Sequence, residues 1–451
     1  LRRQRQMCIR DSRYSEPNLD KPAKVHYTRI VGSRDEKLAQ LNTIEDFSNL
    51  SWQDCPDDWH APFRPPGTGR YFTWPLLVNL MPWQHTGVEV KRTWPIAPDQ
   101  DTLKRRWRAL LEAKDRAAVF KETRDRKIIR SYKPLLIGSE RDRPISELPK
   151  DAPTPPIRRY AFRSFDRQFI LADSRIGDFM RPVLWNTYSE QQIYIASQLV
   201  LELGIGPALT VCAEIPDRHF FSGRGGKDII PLYRDVNATQ PNIAPGLLDL
   251  LTQIYGQKVE PEDFLAYLYG ILALPAFTKQ FYTELETREL RVPITKDSKL
   301  FRQVADIGRY LLWLHTYGER FTGPDRPRGS IPVGKARCTK PVPDEPDRYP
   351  REFTYDPSTK QLSVGEGVFE PVEPNVWDFE VSGLKVVQSW LGYRMRERRG
   401  RKSSPLDNIA PQCWTRQFTT ELLQLLWVLE ATLETYPRQA QLLEAILQGP
   451  L

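Results

Sequence analysis

Residues 160–175 read Tyr-Ala-Phe-Arg-Ser-Phe-Asp-Arg-Gln-Phe-Ile-Leu-Ala-Asp-Ser-Arg, and this stretch does most to set the class of fold. It is an extended run in which aromatic and aliphatic residues are interspersed with charged ones. Such a pattern predicts a pair of strands over Tyr160–Leu171. Arginines recur through the stretch at positions 163, 167 and 175, and a further one follows at Arg181.

Outward from this stretch, helical patterns alternate with extended ones, which predicts an α+β fold. Apolar residues at helical spacing and helix-start signals predict helices at Asp99–Asp115, Thr187–Gly204, Pro261–Leu274, Asp297–Tyr317 and Arg416–Glu434. Extended structure is predicted at Pro207–Ala213, with a hairpin at Glu352–Val372. The proline-rich stretches Gly138–Arg159 and Gly318–Pro350 are candidate linkers. His315 falls on an apolar helix face, where a histidine at the edge of the core is expected more often than a ligand.

The composition is that of a folded protein of two or three domains. The chain has 451 residues, of which 40% are hydrophobic, and its 12 Trp, 18 Tyr and 19 Phe can fill a core. No run approaches the roughly 18 apolar residues of a membrane-spanning helix. The five cysteines include no CxxC pair and fit a reducing compartment, so we expect a cytoplasmic protein.

The first twelve residues, LRRQRQMCIRDS, match neither a secretory signal nor a transit peptide. They resemble a translated sequencing-adapter peptide, so we exclude them and expect that upstream sequence is missing. They carry four Arg and one Asp of a chain with 65 basic and 57 acidic residues, which leaves 61 against 56. A net charge of +5 says little about partners, but its distribution is more informative.

Two clusters of positive charge stand out. Residues 91–133 contain fourteen Lys or Arg against six Asp or Glu, a surface that could follow phosphates. The second cluster, Arg394-Met-Arg-Glu-Arg-Arg-Gly-Arg-Lys402, has six positive charges and one negative charge. Solvated charge runs are common, so for either cluster alone a solvated surface is expected more often than a nucleic-acid contact.

Apparent enzyme motifs lack the context that their chemistry needs. Phe221–Gly225 has the glycine spacing of a methyl-donor loop, but an extended run ending in Pro231 follows where a helix is required. Gly204-Ile-Gly206 is an incomplete dinucleotide fingerprint, and Gly329–Lys335 imitates a P-loop without the Ser or Thr that binds magnesium. Pro56-Asp57 with Glu89-Val-Lys91 imitates a nuclease triplet that is common by chance. The histidines and cysteines are too scattered to predict a metal site.

Longer landmarks resemble one family. They are the stretch 160–175, then Arg181-Pro182, Asp217-Arg-His-Phe220 and Asp228-Ile-Ile-Pro-Leu-Tyr233, supported in the same order by Lys24–Tyr27, Trp74–Leu76, Pro241-Asn242, Phe264–Tyr267, Val376-Trp377 and Trp390-Leu391. These residues resemble the C-terminal specificity domain of type ISP restriction-modification enzymes and related adenine-specific DNA methyltransferases. Ala161 and Ser164 depart from the family's usual arginine and proline. The resemblance extends over nearly all of residues 20–435.

The resemblance implies a target-recognition domain at 136–451, with a proline-rich loop at 318–350 and a largely helical C-terminal part. Residues 13–135 would follow a methyltransferase core that is absent from this sequence. The implied partner is double-stranded DNA. The intact parent would be a prokaryotic enzyme that flips adenine out of the duplex and methylates it at N6 with S-adenosylmethionine. Where it also translocates along DNA, it would use ATP with magnesium. The chain contains neither the polar-Pro-Pro-aromatic motif of that reaction nor a donor site, so we expect no catalytic, cofactor or metal residues in it.

Eleven side chains are candidates for DNA contact: Arg163, Arg167, Arg175, Arg181, Arg218, His219, Arg224, Lys227, Arg396, Arg398 and Arg399. Arginine forks read guanine or bind phosphate, and the glycine-rich loop 217–228 would allow close backbone approach to phosphate. Asp166 and Asp173 could instead pair with the nearby arginines in a structural network. Phe162, Phe165, Phe169, Trp377 and Trp390 are expected to pack in the core.

Two alternatives remain open at this stage. The chain could be a protein-interaction module of the same fold that does not read DNA, or an enzyme with an unrecognised site. Steeply salt-dependent duplex binding that keeps a sequence preference under competitor would distinguish a DNA reader from a scaffold.

Overall fold

The structure is a computed structural model that describes residues 26–30, 34–54, 69–130, 136, 143–199, 201–222, 228–397 and 404–451. The chain divides into two compact units, residues 1–72 and residues 73–451. The adapter-like residues 1–12 and the Pro56-Asp57 pair lie outside the described residues. In the first unit, strand β1 (His26–Tyr27) pairs antiparallel with β2 (Gln53–Asp54), and helix α1 spans Arg34–Asn42.

The second unit mixes helices with small antiparallel sheets, so the predicted α+β class is confirmed. Its described helices are α2 (Leu77–Leu80), α3 (Gln100–Glu112), α4 (Arg116–Phe120), α5 (Pro182–Trp185), α6 (Leu247–Tyr255), α7 (Pro261–Leu272), α8 (Pro275–Gln280), α9 (Tyr282–Leu285), α10 (Ser298–His315), α11 (Pro374–Trp377), α12 (Val386–Gly392) and α13 (Arg416–Gln448). Its described strands are β3 (Ile96–Ala97), β4 (Ile157–Arg163), β5 (Asp166–Leu171), β6 (Tyr194–Ser197), β7 (Thr210–Cys212), β8 (Asp228–Pro231), β9 (Arg337–Lys340), β10 (Phe353–Asp356), β11 (Gln361–Val364), β12 (Gly367–Glu370), β13 (Glu380–Val381) and β14 (Leu384–Lys385).

The predicted strand pair is confirmed as the hairpin of β4 and β5, which turns through Phe165 at a φ of 63°. Strand β3 pairs with the other edge of β5, so residues before and after position 135 share one sheet. Beneath this sheet lies an apolar cluster that includes Trp94 and Trp107 of the α3 region together with Leu171. Burial of large aromatic side chains of this kind stabilises the sheet against the helix.

Helices α7 and α10 pack backbone to backbone. The helix start signals explain their positions, because Pro261 opens α7 and the Asp297 carboxylate caps α10 by accepting from two backbone amides. At Gly308 of α10 any Cβ atom would overlap the carbonyl oxygen of Ala266 in α7. Glycine is therefore required for this close approach.

His315 is buried at the end of α10, as predicted. The Thr432 hydroxyl donates to the Val428 carbonyl (2.6 Å), so its oxygen accepts from Nε2 of His315 (2.8 Å). The other ring nitrogen, Nδ1, is then bare and accepts from the Tyr269 hydroxyl (2.6 Å). Burial lowers the pKa of His315 to about 3, so the ring is neutral and joins α7, α10 and α13.

The helix predicted at Thr187–Gly204 is wrong. The structure places strand β6 there, between β7 and β8, with all four of its side chains buried. A strand buried on both faces has no polar alternation, so its apolar run cannot be told from a buried helix by periodicity. Sheet partners distant in sequence decide the outcome.

The remaining predicted helices and strands are confirmed, two of them longer than predicted, whereas the predicted linker Gly318–Pro350 contains strand β9 and lies inside the second unit. The hairpin at Glu352–Val372 consists of β10 and β11 and continues into β12, and β9 closes a sheet of order β10-β11-β12-β9. The terminal helix α13 continues past Pro437 to Gln448. Its second half buries Leu442 and Ile446, and this packing stabilises the extra turns.

Candidate nucleic-acid interface

An open groove of about 880 Å³ lies between two walls of the second unit. One wall is the loop of residues 121–130 that follows α4, and the other is the segment of residues 174–183 that leads into α5. The charged lining side chains are Arg124, Asp125, Lys127, Arg130, Asp178 and Arg181. Cations thus outnumber carboxylates in this concave surface, as binding of a polyanion requires.

The first wall is anchored from inside by Arg126. Its buried guanidinium donates to the carbonyl oxygens of Phe120 (2.7 Å), Lys121 (2.6 Å) and Ile176 (2.8 Å). It also lies 4.2 Å from the centre of the Phe120 ring, a cation–π contact. Burial lowers the pKa of Arg126 to about 10, so the side chain remains a cation at neutral pH. This anchor fixes the loop while its neighbours in sequence project outward, Arg124 with 88% of its side chain exposed.

Lys91 forms ion pairs with both carboxylates of the groove. Its ammonium lies 3.3 Å from Asp125 and 3.2 Å from Asp178. The Thr123 hydroxyl also donates to Asp178 (2.6 Å). A hydrogen bond from Arg124 lowers the pKa of Asp125, which is therefore ionised at neutral pH. Lys91 and the four lining cations together carry five positive charges against the two negative charges of these carboxylates, so the groove presents a net positive surface.

The second wall is built on a two-way backbone pairing between Glu89 and Phe179, with both N–H···O distances at 2.9 Å. Arg181 follows in the left-handed conformation with a φ of 53°, and its guanidinium stacks 4.8 Å from the Phe179 ring. Burial lowers the pKa of Arg181, while the charge of Glu89 opposes this effect. Positive φ is uncommon outside glycine, so this backbone is held by its surroundings.

Behind this wall, Arg218 forms an ion pair with Glu89. The chain approaches itself closely here, because a Cβ atom at Gly87 would lie 2.6 Å from the backbone oxygen of Asp217. Only glycine fits at that position without displacing the backbone around Asp217.

Asp217 organises three further groups. Its carboxylate accepts from the Tyr160 hydroxyl (2.8 Å), from Arg163 (2.9 Å) and from the backbone amide of His219 (2.8 Å). Burial lowers the pKa of His219, so its ring is neutral at physiological pH. The structure therefore gathers four of the sequence-predicted side chains around two carboxylates: Arg163 and His219 at Asp217, and Arg181 and Arg218 near Glu89.

Two other predicted arginines lie in internal networks. Arg175 is buried and pairs with both oxygens of Asp173, which is the structural pairing that the sequence offered as an alternative to DNA contact. Arg167 stacks 3.6 Å from the centre of the Tyr317 ring and donates to Gln424 (3.0 Å), and burial lowers its pKa. These contacts supply a structural reason for both residues.

The second charge cluster divides between core and surface. Arg394 is fully buried, whereas Arg396 is exposed. Arg224, Lys227, Arg398 and Arg399 lie outside the described residues. DNA contact by any of the eleven candidates stays a prediction.

The predicted DNA contacts do not include Arg124, Lys127 or Arg130, although all three lie within the first charge cluster. The charge count over residues 91–133 was the signal that could have identified them. It could not separate them from Arg126, which has the same charge and is buried.

Backbone amides at the end of the P-loop-like stretch already bind a carboxylate of the same chain. The backbone amides of Lys335 (2.5 Å) and Ala336 (3.2 Å) donate to the Glu430 carboxylate, which takes the place that a phosphate would need. Among the described residues no three His, Cys, Asp or Glu side chains are grouped as metal ligands. Nor does the described part of the chain include a helix long and apolar enough to cross a membrane.

The aromatic residues expected in the core occupy packing positions. Phe162, Phe165 and Trp390 are buried, and Phe169 is half-buried. Trp377 is also half-buried and stacks on Tyr355 at 4.7 Å between ring centres. None of these rings forms an open stacking platform for a base.

Comparison with known proteins identifies one matching family and several solved structures of similar fold. The model of the Type ISP C-terminal specificity domain matches residues 79–425. A nuclease-deletion mutant of the Type ISP restriction-modification enzyme LlaGI in complex with a DNA substrate mimic has a similar fold (TM-score 0.57, 16% identity), covering 92% of this chain and 33% of that one. No protein with a curated description matches.

Two further solved structures have the same fold. One is the DrdV–DNA complex, with a TM-score of 0.60, 14% identity and coverage of 90% of this chain and 42% of that one. The other is the ATP-dependent Type ISP restriction-modification enzyme LlaBIII bound to DNA, with a TM-score of 0.60, 13% identity and coverage of 92% and 27%. This chain therefore spans between 27% and 42% of the length of these three proteins.

Proposed function

Because the chain belongs to the Type ISP C-terminal specificity domain family, we propose that it recognises double-stranded DNA for a restriction-modification enzyme. The observation that carries this proposal is the groove, where both carboxylates are paired with Lys91 and are outnumbered by the lining cations Arg124, Lys127, Arg130 and Arg181. Such a surface attracts phosphates and releases their counterions.

The size of the groove defines how DNA would bind. A space of about 880 Å³ cannot enclose a duplex, so it receives the backbone of one strand while the rest of the duplex lies across the rim. Cations on both walls then contact successive phosphates and set the register of the protein on the DNA. The neighbouring group around Asp217 and Glu89 holds Arg163, Arg181, Arg218 and His219, and it is our candidate for base contacts.

We assign methyl transfer to other domains of a longer polypeptide, because the proteins of similar fold exceed this chain in length. In this proposal those domains flip the target adenine, bind S-adenosylmethionine and methylate N6, and use ATP with magnesium for translocation. The present chain places the duplex so that the target base reaches them.

Fluorescence anisotropy with duplexes selected from a randomised pool tests the proposal. We expect binding that weakens steeply with salt and that survives excess genomic competitor DNA. Removing two groove cations by Arg124→Gln with Lys127→Gln should reduce the slope of log K against log salt by about 2, since each phosphate contact contributes about 0.9.

The matched control removes two exposed cations elsewhere, Lys258→Gln with Lys279→Gln, and should leave the slope unchanged. Equal slopes for the groove variant and the wild type would overturn the assignment of the groove. Absence of salt-dependent duplex binding by the wild type would overturn DNA recognition and favour a protein-interaction module.

A further inference from the structure

Two aliphatic side chains lie exposed among the cations of the groove. Ile129 is 71% exposed on the first wall, and Val183 is 48% exposed on the second. Both line the same space as Arg124, Lys127 and Arg181. An aliphatic side chain gains no free energy from exposure to water. The presence of one such side chain on each wall of a charged groove therefore suggests a partner that supplies apolar surface.

The exposure of Ile129 is not the result of a loose chain. The amide of Ile128 donates to the Glu122 carboxylate (3.0 Å), and its carbonyl accepts from the Ser146 amide (3.2 Å). On the other side, the amide of Arg130 donates to the Lys127 carbonyl (3.2 Å). Residues on both sides of Ile129 are therefore held, and its side chain is presented outward in a defined direction.

Val183 is fixed in an equivalent way at the start of α5. Pro182 restricts the backbone, and the amide of Leu184 donates to the Arg181 carbonyl (2.9 Å). The ring of Trp185 is buried, and its Nε1 donates to the Met180 carbonyl (2.7 Å). These contacts hold the short helix in place and leave Val183 facing the groove.

We propose that Ile129 inserts against the bases at one step of the bound duplex, from the minor groove, and partly unstacks that step, with Val183 contacting the same strand from the opposite wall. This inference rests on the proposed function and specifies how DNA is bound. Proteins that insert apolar wedges from the minor groove place cations beside them, which bind the phosphates and offset the cost of unstacking. Arg124, Lys127 and Arg130 occupy those flanking positions on the wall that carries Ile129.

The test uses 2-aminopurine, whose fluorescence rises when it loses its stacking neighbours, substituted for each adenine in turn of a selected duplex. Binding of the wild-type chain should raise the fluorescence at one step only. Ile129→Ala should abolish that rise and weaken binding by about tenfold, the effect of losing one apolar contact, while the salt slope is unchanged. Ile129→Leu should restore the rise, because it returns an apolar side chain of similar volume.

The control is Val333→Ala, which shortens an exposed aliphatic side chain of a proline-rich loop and should alter neither signal. Insertion of Ile129 is contradicted if the duplex binds with the expected salt dependence but 2-aminopurine fluorescence rises at no position. It is also contradicted if the rise persists in Ile129→Ala. In both cases the proposal of DNA recognition stands. If the wild type does not bind duplex at all, the proposed function itself fails. The separate anisotropy measurement distinguishes these two results.

Discussion

Arg394 and Asp166 form an ion pair at 2.9 Å in which both side chains are buried, although 228 positions separate them in the sequence. The guanidinium of Arg394 also stacks 3.7 Å from the Trp390 ring. The pair attaches the segment after α12 to strand β5 of the central hairpin. A cation that belongs to a basic cluster in sequence is thus part of the core in the structure.

Removal of this cation should destabilise the fold. Arg394→Met leaves the buried carboxylate of Asp166 without its charged partner, and breaking a buried pair in this way costs about 3–5 kcal/mol. Chemical denaturation measures the change in the free energy of unfolding. Arg396→Met, two residues later and exposed, is the control and should change it by less than about 0.5 kcal/mol. Equal effects of the two substitutions would contradict the structural role of Arg394.

Substitution of Arg126 should affect both stability and DNA binding. Arg126→Met leaves the carbonyls of Phe120, Lys121 and Ile176 without their charged donor, for a loss of about 3 kcal/mol in unfolding free energy. Because the loop loses its anchor, duplex affinity should fall as well. Arg124→Gln provides the comparison, since it should lower affinity while stability changes by less than about 0.5 kcal/mol. Unchanged unfolding of Arg126→Met would contradict the anchoring role.

A methyl group at Gly87 should disturb the backbone around Asp217. The Cβ of Gly87→Ala would lie 2.6 Å from the carbonyl oxygen of Asp217, and relief of this clash should cost about 1–3 kcal/mol. Gly323→Ala is the matched control, because no atom lies within 4 Å of its new Cβ. Thermal unfolding compares the two variants. We expect a lower midpoint for Gly87→Ala only, and equal midpoints would contradict the close approach.

Protonation of His315 should lower the free energy of unfolding as the pH falls. Its pKa is lowered by burial to about 3 in the folded chain, against about 6.5 when unfolded, so the unfolded state binds the proton first as pH falls. The contribution is complete above about pH 6.5 and is lost at about 1.4 kcal/mol per pH unit below it. Urea unfolding from about pH 7 to about pH 5 should show this slope, and His315→Gln should reduce it. An unchanged slope in His315→Gln would show that other groups cause the acid sensitivity.

Local signals in the sequence were sufficient for much of the fold. The β4–β5 hairpin, the caps of α7 and α10 and the hairpin at Glu352–Val372 depend on neighbouring residues, so a sequence pattern predicts them. The family resemblance also came from sequence, because its landmarks are short stretches in a set order. Strand β6 was misassigned because its partners β7 and β8 decide its state.

Local patterns and composition were enough to establish the α+β class, the family and the presence of positive charge over residues 91–133. Which arginines face a groove and which are buried depends on long-range packing. Arg124 is exposed while Arg126 and Arg394 are buried, although the three side chains are chemically identical. Each of the two buried arginines has at least one partner from a distant segment, the Ile176 carbonyl for Arg126 and the Asp166 carboxylate for Arg394. Because burying a charge is costly, an arginine is buried only where such partners meet it.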